Sequence, residues 1–170
     1  SGNGCGGICN LLGNGEIRNS INKGSVSGKS TSGGVVALCT GSETAILNSC
    51  NVANVTVPSG ISSFALSGFE GNGVDCSILN CYSSISQPLY STDDNYDGNV
   101  KAQYIYFPSS NTTDKESNED YIASFSPAEG SDGNDWTLSY AVFGTTDLVE
   151  ALNAWVAEQA DDIYSFWAVD

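Results

Sequence analysis

Residues 16–27, EIRNSINKGSVS, decide how this chain is read: two short runs of alternating apolar residues flank a polar corner at Asn19-Ser20. The pattern returns as AILNSCNVANVT at residues 45–56 and as SILNCYSSIS at residues 77–86. Aligning Asn19, Asn48 and Asn80 gives steps of 48 − 19 = 29 and 80 − 48 = 32 residues. A period near thirty marks a stacked repeat, in which each unit needs its neighbour to bury its apolar face.

Working outward, glycine pairs lead each of the first two units, Gly6-Gly7 before Ile8-Cys9 and Gly33-Gly34 before Val35-Val36. In the third unit Ser63-Phe64-Ala65-Leu66 stands where Gly-Gly-Val-Val is expected. Alternation through Ile17, Ile21 and Val26, and again through Ile46, Val52, Val55 and Val57, has the period of two of half-buried strands. The expected fold is mainly β: a parallel β-helix or solenoid of about three coils over residues 1–87, with a C-terminal cap over residues 88–170 packed on it as a single domain. In such coils equivalent side chains stack about 4.8 Å apart. The three asparagines then either form a hydrogen-bonded ladder or serve as turn residues, which tolerate left-handed backbone.

The cap carries two strand-like runs, VKAQYIYFP at 100–108 and WTLSYAVF at 136–143, separated by the polar stretch 111–120. One amphipathic helix is expected from about Asp147 to Ala160. Asp147 is its N-cap, Glu150 lies three residues later, and Leu148, Leu152, Trp155, Val156 and Gln159 share a face. The helix is expected to lie across an open face of the coil and to cover unpaired strand edges, which otherwise invite association. Tyr164, Phe166 and Trp167 are expected to pack on the same cap.

The chain has 170 residues, 20 acidic against 5 basic side chains and a formal charge of −15, a surface that repels nucleic acid and anionic membranes. At 40% hydrophobic it can fold, and it holds no apolar run long enough for membrane insertion. Six cysteines, Asn-x-Thr sequons at Asn54 and Asn111, and abundant Ser, Thr and Gly point to an extracellular or cell-surface setting.

The runs GGIC…GEIRNSINKGSVSG and GGVVALC…AILNSCNVANVT resemble GLUG-motif repeats, a Gly-Gly-hydrophobic lead followed by Ile-x-Asn-Ser/Cys-x-Asn-x-Gly-x-Val-Ser. The resemblance covers about half of the chain, and the second copy departs from the pattern with Val52-Ala53 after its Asn. Such repeats occur in bacterial IgA-peptidase-type surface proteins and in variable surface antigen-like proteins of protists. The resemblance implies an extracellular β-solenoid stalk or adhesin.

Histidine is absent, which removes Ser-His and Cys-His nucleophile pairs and HExxH zinc sites. No coil face carries an evident acid and base pair, although Asp75, Asp93, Asp94 and Asp97 are acids a polysaccharide enzyme would need. The expectation is therefore no enzyme and no cofactor other than calcium. Asp93, Asn95 and Asp97, followed by Gly98, open a calcium-loop pattern whose twelfth position is Tyr104 rather than Glu; the alternative is an acidic turn. Cys5, Cys9, Cys39, Cys50, Cys76 and Cys81 are read as disulfide staples, paired locally as Cys5–Cys9, Cys39–Cys50 and Cys76–Cys81, with Cys50–Cys81 as the rival.

The function expected is a non-enzymatic surface module with a structural or adhesive role, the end fragment of a repeat adhesin or surface antigen. Its partners are upstream repeats of its parent chain or copies of itself. The alternatives are a subunit of an extracellular filament assembled end to end, and a carbohydrate-binding module that stacks host or cell-surface glycans on Tyr82, Tyr90 and Tyr96.

Overall fold

The computed structural model describes residues 4–69, 75–85, 87–92, 99–110, 122–127 and 135–168. Short strands dominate. The first unit contributes β1 (Cys9–Leu12), β2 (Gly15–Arg18), β3 (Ile21–Asn22) and β4 (Val26–Ser27). The second adds β5 (Ser32–Gly33), β6 (Val36–Cys39), β7 (Glu43–Leu47), β8 (Cys50–Asn51) and β9 (Val55–Thr56). Then come β10 (Ser63–Phe64), β11 (Ser67–Phe69), β12 (Asp75–Ser83), β13 (Tyr90–Thr92) and β14 (Val100–Pro108). The chain closes with β15 (Ile122–Pro127), β16 (Trp136–Val142), β17 (Thr145–Asp147) and the helix α1 (Leu148–Gln159). Among the described residues the protein is mainly β with one helix, as the alternation and the single amphipathic stretch predict.

Equivalent strands of successive units pair in parallel. One sheet runs β1-β6-β11-β13, the longest runs β2-β7-β12-β14-β15-β16-β17, and β5 with β10 and β4 with β9 form two-stranded sheets. The register puts Ile17 beside Ile46 and Ile46 beside Ile78, so the repeat spacing read from the sequence is the pairing register itself. The third unit starts one residue later than its alignment with Gly-Gly-Val-Val implies: Phe64, not Ser63, pairs with Gly33. Among the described residues the antiparallel pairs are β15 with β16 and β16 with β17.

The main core lies between these sheets and contains Val35, Val36, Ile46, Ala65, Leu66, Ile78, Leu89, Ile105 and Phe107. Ile46 and Ile78 are fully buried, each worth about 1.5–3 kcal/mol of transfer free energy. Polar side chains enter the interior where the glycines stand. A Cβ on Gly34 would come within 2.2 Å of the Asn51 amide and of the Ala65 carbonyl, and one on Gly7 within 2.5 Å of Asn22. Those asparagines are buried and joined, Asn22 Nδ2 donating to Asn51 Oδ1 at 2.8 Å. In the third unit the matching positions are Ala65 and Ser83, since Phe64 pairs with Gly33 and Ser83 with Asn51. The methyl group gained at Ala65 accompanies the shorter side chain at Ser83, which explains why this unit does without its second glycine.

A second core forms on the outer face of the long sheet. Tyr106, Ala123, Phe125 and Leu138 meet Leu148, Ala151 and Leu152 of α1 there. The helix thus lies across a sheet face; the strand edges it was also expected to cover are not part of this contact. Asp147 is its N-cap, accepting from Glu150 N at 2.8 Å. Glu150 does not reciprocate as in a capping box; its Oε2 accepts from Thr145 Oγ1 at 2.6 Å. Strand β15, which aligns beside β14, was not expected from the sequence: its run IASFSP has few apolar residues and follows the charged stretch.

Candidate interaction surface

The most ordered polar feature is the corner built by Asn19, Asn48 and Asn80. All three adopt left-handed backbone, with φ of 52°, 46° and 53°. Asparagine tolerates this region better than other residues with a Cβ, because its short amide bonds locally. Here the turn and ladder readings both hold: Asn48 Nδ2 donates to Asn19 Oδ1, and Asn80 Nδ2 to Asn48 Oδ1, each at 2.8 Å. Behind each asparagine the next side chain caps the same bend. Ser20 Oγ donates to Arg18 O, Ser49 Oγ to Leu47 O and Cys81 Sγ to Leu79 O. Tyr104 takes the left-handed position in the following strand, with φ 54°. Because a tyrosine there carries no amide, Asn80 Oδ1 is left buried without a partner among the described residues.

The C-terminal segment lies along this ladder. Asn19 Nδ2 donates to Ile163 O at 2.6 Å, and Ser165 N donates to Asn19 Oδ1 at 3.0 Å. Asn48 Nδ2 donates to Ser165 O at 2.8 Å, and Trp167 Nε1 donates to Asn48 Oδ1 at 2.6 Å. Asn153 of α1 holds the Trp167 backbone from both sides, at 2.7 and 3.0 Å. Asn48 therefore uses both amide hydrogens and both carbonyl lone pairs. The Tyr164 ring meets Trp155 edge-on at 4.9 Å and the Trp167 ring meets Tyr82 at 5.4 Å, while Phe166 stays 66% exposed. Nothing in the sequence announces this seam, since Asn48 and Trp167 stand 119 residues apart.

The opposite feature is an open strand edge. Among the described residues β1, β2, β3 and β4 each pair on one side only, with β6, β7, β8 and β9. Ile8 and Ile21 of this first unit are 44% and 42% exposed, whereas Val35 and Cys50 at the matching positions of the second unit are fully buried; Leu11 is 58% exposed and its register partner Leu38 half-buried. A shallow depression of about 550 Å³ opens nearby between Glu16, Glu43 and Asp75, with Ser42 and Ser77. Glu43 and Asp75 are directly opposite across the strands, a like-charge pairing. Asp75 Oδ1 is engaged by Asn99 N and Nδ2 at 3.0 and 3.2 Å. The depression contains carboxylates and hydroxyls but no nucleophile with an adjoining base.

The remaining expected sites fare unevenly. The structure carries all six cysteines as thiols, with neither the local pairings nor Cys50–Cys81 closed. Cys76 and Cys81 both lie on β12, on either side of the left-handed bend at Asn80. Cys39 belongs to β6 and faces Ser67 Oγ at 3.4 Å, while Cys50 belongs to β8 in another sheet. Cys50 and Cys81 are near neighbours, because Cys50 is in register with Tyr82. Burial pushes the Cys39 and Cys81 thiols up to about 12 and the Cys50 thiol to about 11, so they are neutral interior groups. Thr44 Oγ1 and Cys76 Sγ are 2.6 Å apart in the same interior.

Asn54 is exposed, as a glycan acceptor must be. Asn111 and the calcium candidates Asp93, Asn95 and Asp97 lie outside the described residues, as do Asp94 and Tyr96. No group of three or more metal-ligating side chains occurs among the described residues. Tyr82 and Tyr90 are packed rather than presented for sugar stacking, Tyr82 against Phe125 and Trp167 and Tyr90 against the main core. No helix among the described residues is long and apolar enough to cross a membrane. Comparison with known proteins finds no matching family model, no matching curated protein and no matching solved structure.

Proposed function

We propose that this chain is a non-enzymatic module of an extracellular repeat protein, in which the paired units form a parallel β-solenoid and the first unit stacks on a further repeat of the same pattern. Its role is structural or adhesive, at the cell surface, in keeping with the GLUG-like sequence, the sequons and the strongly acidic composition. The observation that carries this reading is the first-unit edge, where four strands pair on one side only and Ile8, Leu11 and Ile21 stay exposed. A neighbouring repeat in register would bury Ile8 and Ile21 as the second unit buries Val35 and Cys50.

An end-to-end filament of identical chains needs an equally open opposite end. The long sheet terminates there in the antiparallel strands β16 and β17, which weighs against that alternative.

The test is to fuse a duplicate of residues 32–60 ahead of residue 5 and measure urea unfolding. In a stacked array each added unit extends the cooperative structure, so the midpoint and the denaturant slope should both rise. An unchanged slope, with the added segment sensitive to protease, would overturn the proposal.

A further inference from the structure

The asparagine corner is already occupied, and its occupant defines what it recognises. Ser165 is bracketed like a residue in a strand ladder, its N–H on Asn19 Oδ1 and its C=O on Asn48 Nδ2. One position is added on each side, the Ile163 carbonyl on Asn19 Nδ2 and the Trp167 indole on Asn48 Oδ1. All four bonds use groups of the ladder that remain after its own Asn-to-Asn bonds are made. The ladder is held by the surrounding strands and not by the segment, so the same donors and acceptors persist when the segment leaves. The segment is divided in its burial: Ile163 is 44% and Phe166 66% exposed, while Tyr164 and Trp167 are half-buried, against Trp155 and Tyr82. It joins the helix through Ala160, a non-glycine residue at φ 49°.

We propose that the Asn19–Asn48 ladder is a docking track for an extended peptide, and that the Ile163–Trp167 segment of a second copy of this chain can occupy it in place of the chain's own. The recognition is by backbone N–H and C=O groups of one residue and by an indole N–H two residues later. This is strand addition carried out by side-chain amides instead of a strand edge. The tethered segment competes at an effective concentration in the millimolar range, so exchange shows only when that segment is impaired.

The experiment mixes two full-length variants. Ser165→Pro with Trp167→Phe removes two donors from the segment and keeps the track. Asn19→Gly keeps the left-handed backbone accessible at an exposed corner and removes two track contacts while keeping the segment. Hetero-association between the tail-impaired chain and labelled wild-type chain is expected in sedimentation and energy transfer, and it should fall about fivefold or more when Asn19→Gly is introduced into the tail-impaired chain, each hydrogen bond lost being worth roughly that factor. A synthetic peptide DDIYSFWA should likewise bind the tail-impaired chain, and its Ser→Pro form about fivefold more weakly. If the variants are folded and neither association nor peptide binding appears up to about 1 mM, which is the tethered concentration, the segment is a fixed intramolecular strap and the proposal is wrong. Binding that ignores Asn19→Gly, or a peptide bound equally well with proline, overturns it as well. Should Asn19→Gly fail to fold, the peptide comparison decides alone.

Discussion

The indole Nε1 of Trp167 donates to Oδ1 of Asn48 at 2.6 Å, tying the C-terminal segment to the middle rung of the asparagine ladder. Asn48 is only 1% exposed and has all four hydrogen-bonding positions used, by Asn19, Asn80, Ser165 and Trp167. Its left-handed backbone and its amide serve together, so the two roles separate by mutation.

Asn48→Ala should destabilise the protein by about 3 kcal/mol, through strained backbone and a broken buried network. Asn48→Gly relieves the backbone and should cost about 1 kcal/mol less. Urea denaturation measures both; equal losses would mean that backbone strain contributes nothing at this corner.

Gly34→Ala should destabilise strongly, by about 3 kcal/mol, because its Cβ would meet Asn51 and the Ala65 carbonyl at 2.2 Å. Adding Asn51→Ser copies the Ala65 and Ser83 combination of the third unit and should recover about 1 kcal/mol. Recovery is partial, since the carbonyl contact persists. A double-mutant cycle with no coupling would refute the volume exchange.

Stability should fall as the pH rises above 9. The thiols of Cys39, Cys50 and Cys81 are raised by burial from 9.0 to about 12, 11 and 12. The unfolded chain therefore releases these protons first, holds fewer than the folded chain between pH 9 and 11–12, and gains relative to it as pH rises. Burial raises Tyr82 and Tyr106 as well, extending the loss upward. Urea midpoints from pH 7 to 11 check this; replacing the three cysteines by alanine should flatten the lower part of the decline.

At the helix ends the effects should have opposite signs. Asp147→Ala removes the bond to Glu150 N and should cost about 1 kcal/mol. Ala160→Gly relieves a left-handed residue at the C-cap and should stabilise by about 1 kcal/mol. Thermal midpoints moving the same way for both would contradict the cap geometry.

The repeat was legible because its determinants are local and periodic. Two-residue alternation, the asparagine at each corner and the spacing of 29 and 32 residues specify strands, bends and pairing register without knowledge of distant partners. The helix was equally legible from Asp147 and the spacing of Leu148, Leu152 and Trp155. The cysteine spacing did not reveal which cysteines lie near one another, because Cys50 and Cys81 become neighbours only through the pairing of β8 with β12. The glycine of each pair that faces an asparagine had a reason visible only in space, where Gly34 makes room for Asn51 and Ala65 for Ser83. Only the tertiary structure decided which sheet residues the helix covers and that residues 163–167 run along the ladder. Those choices rest on hydrogen bonds spanning 72 to 146 residues, which leave no periodic trace in the chain because each is made once.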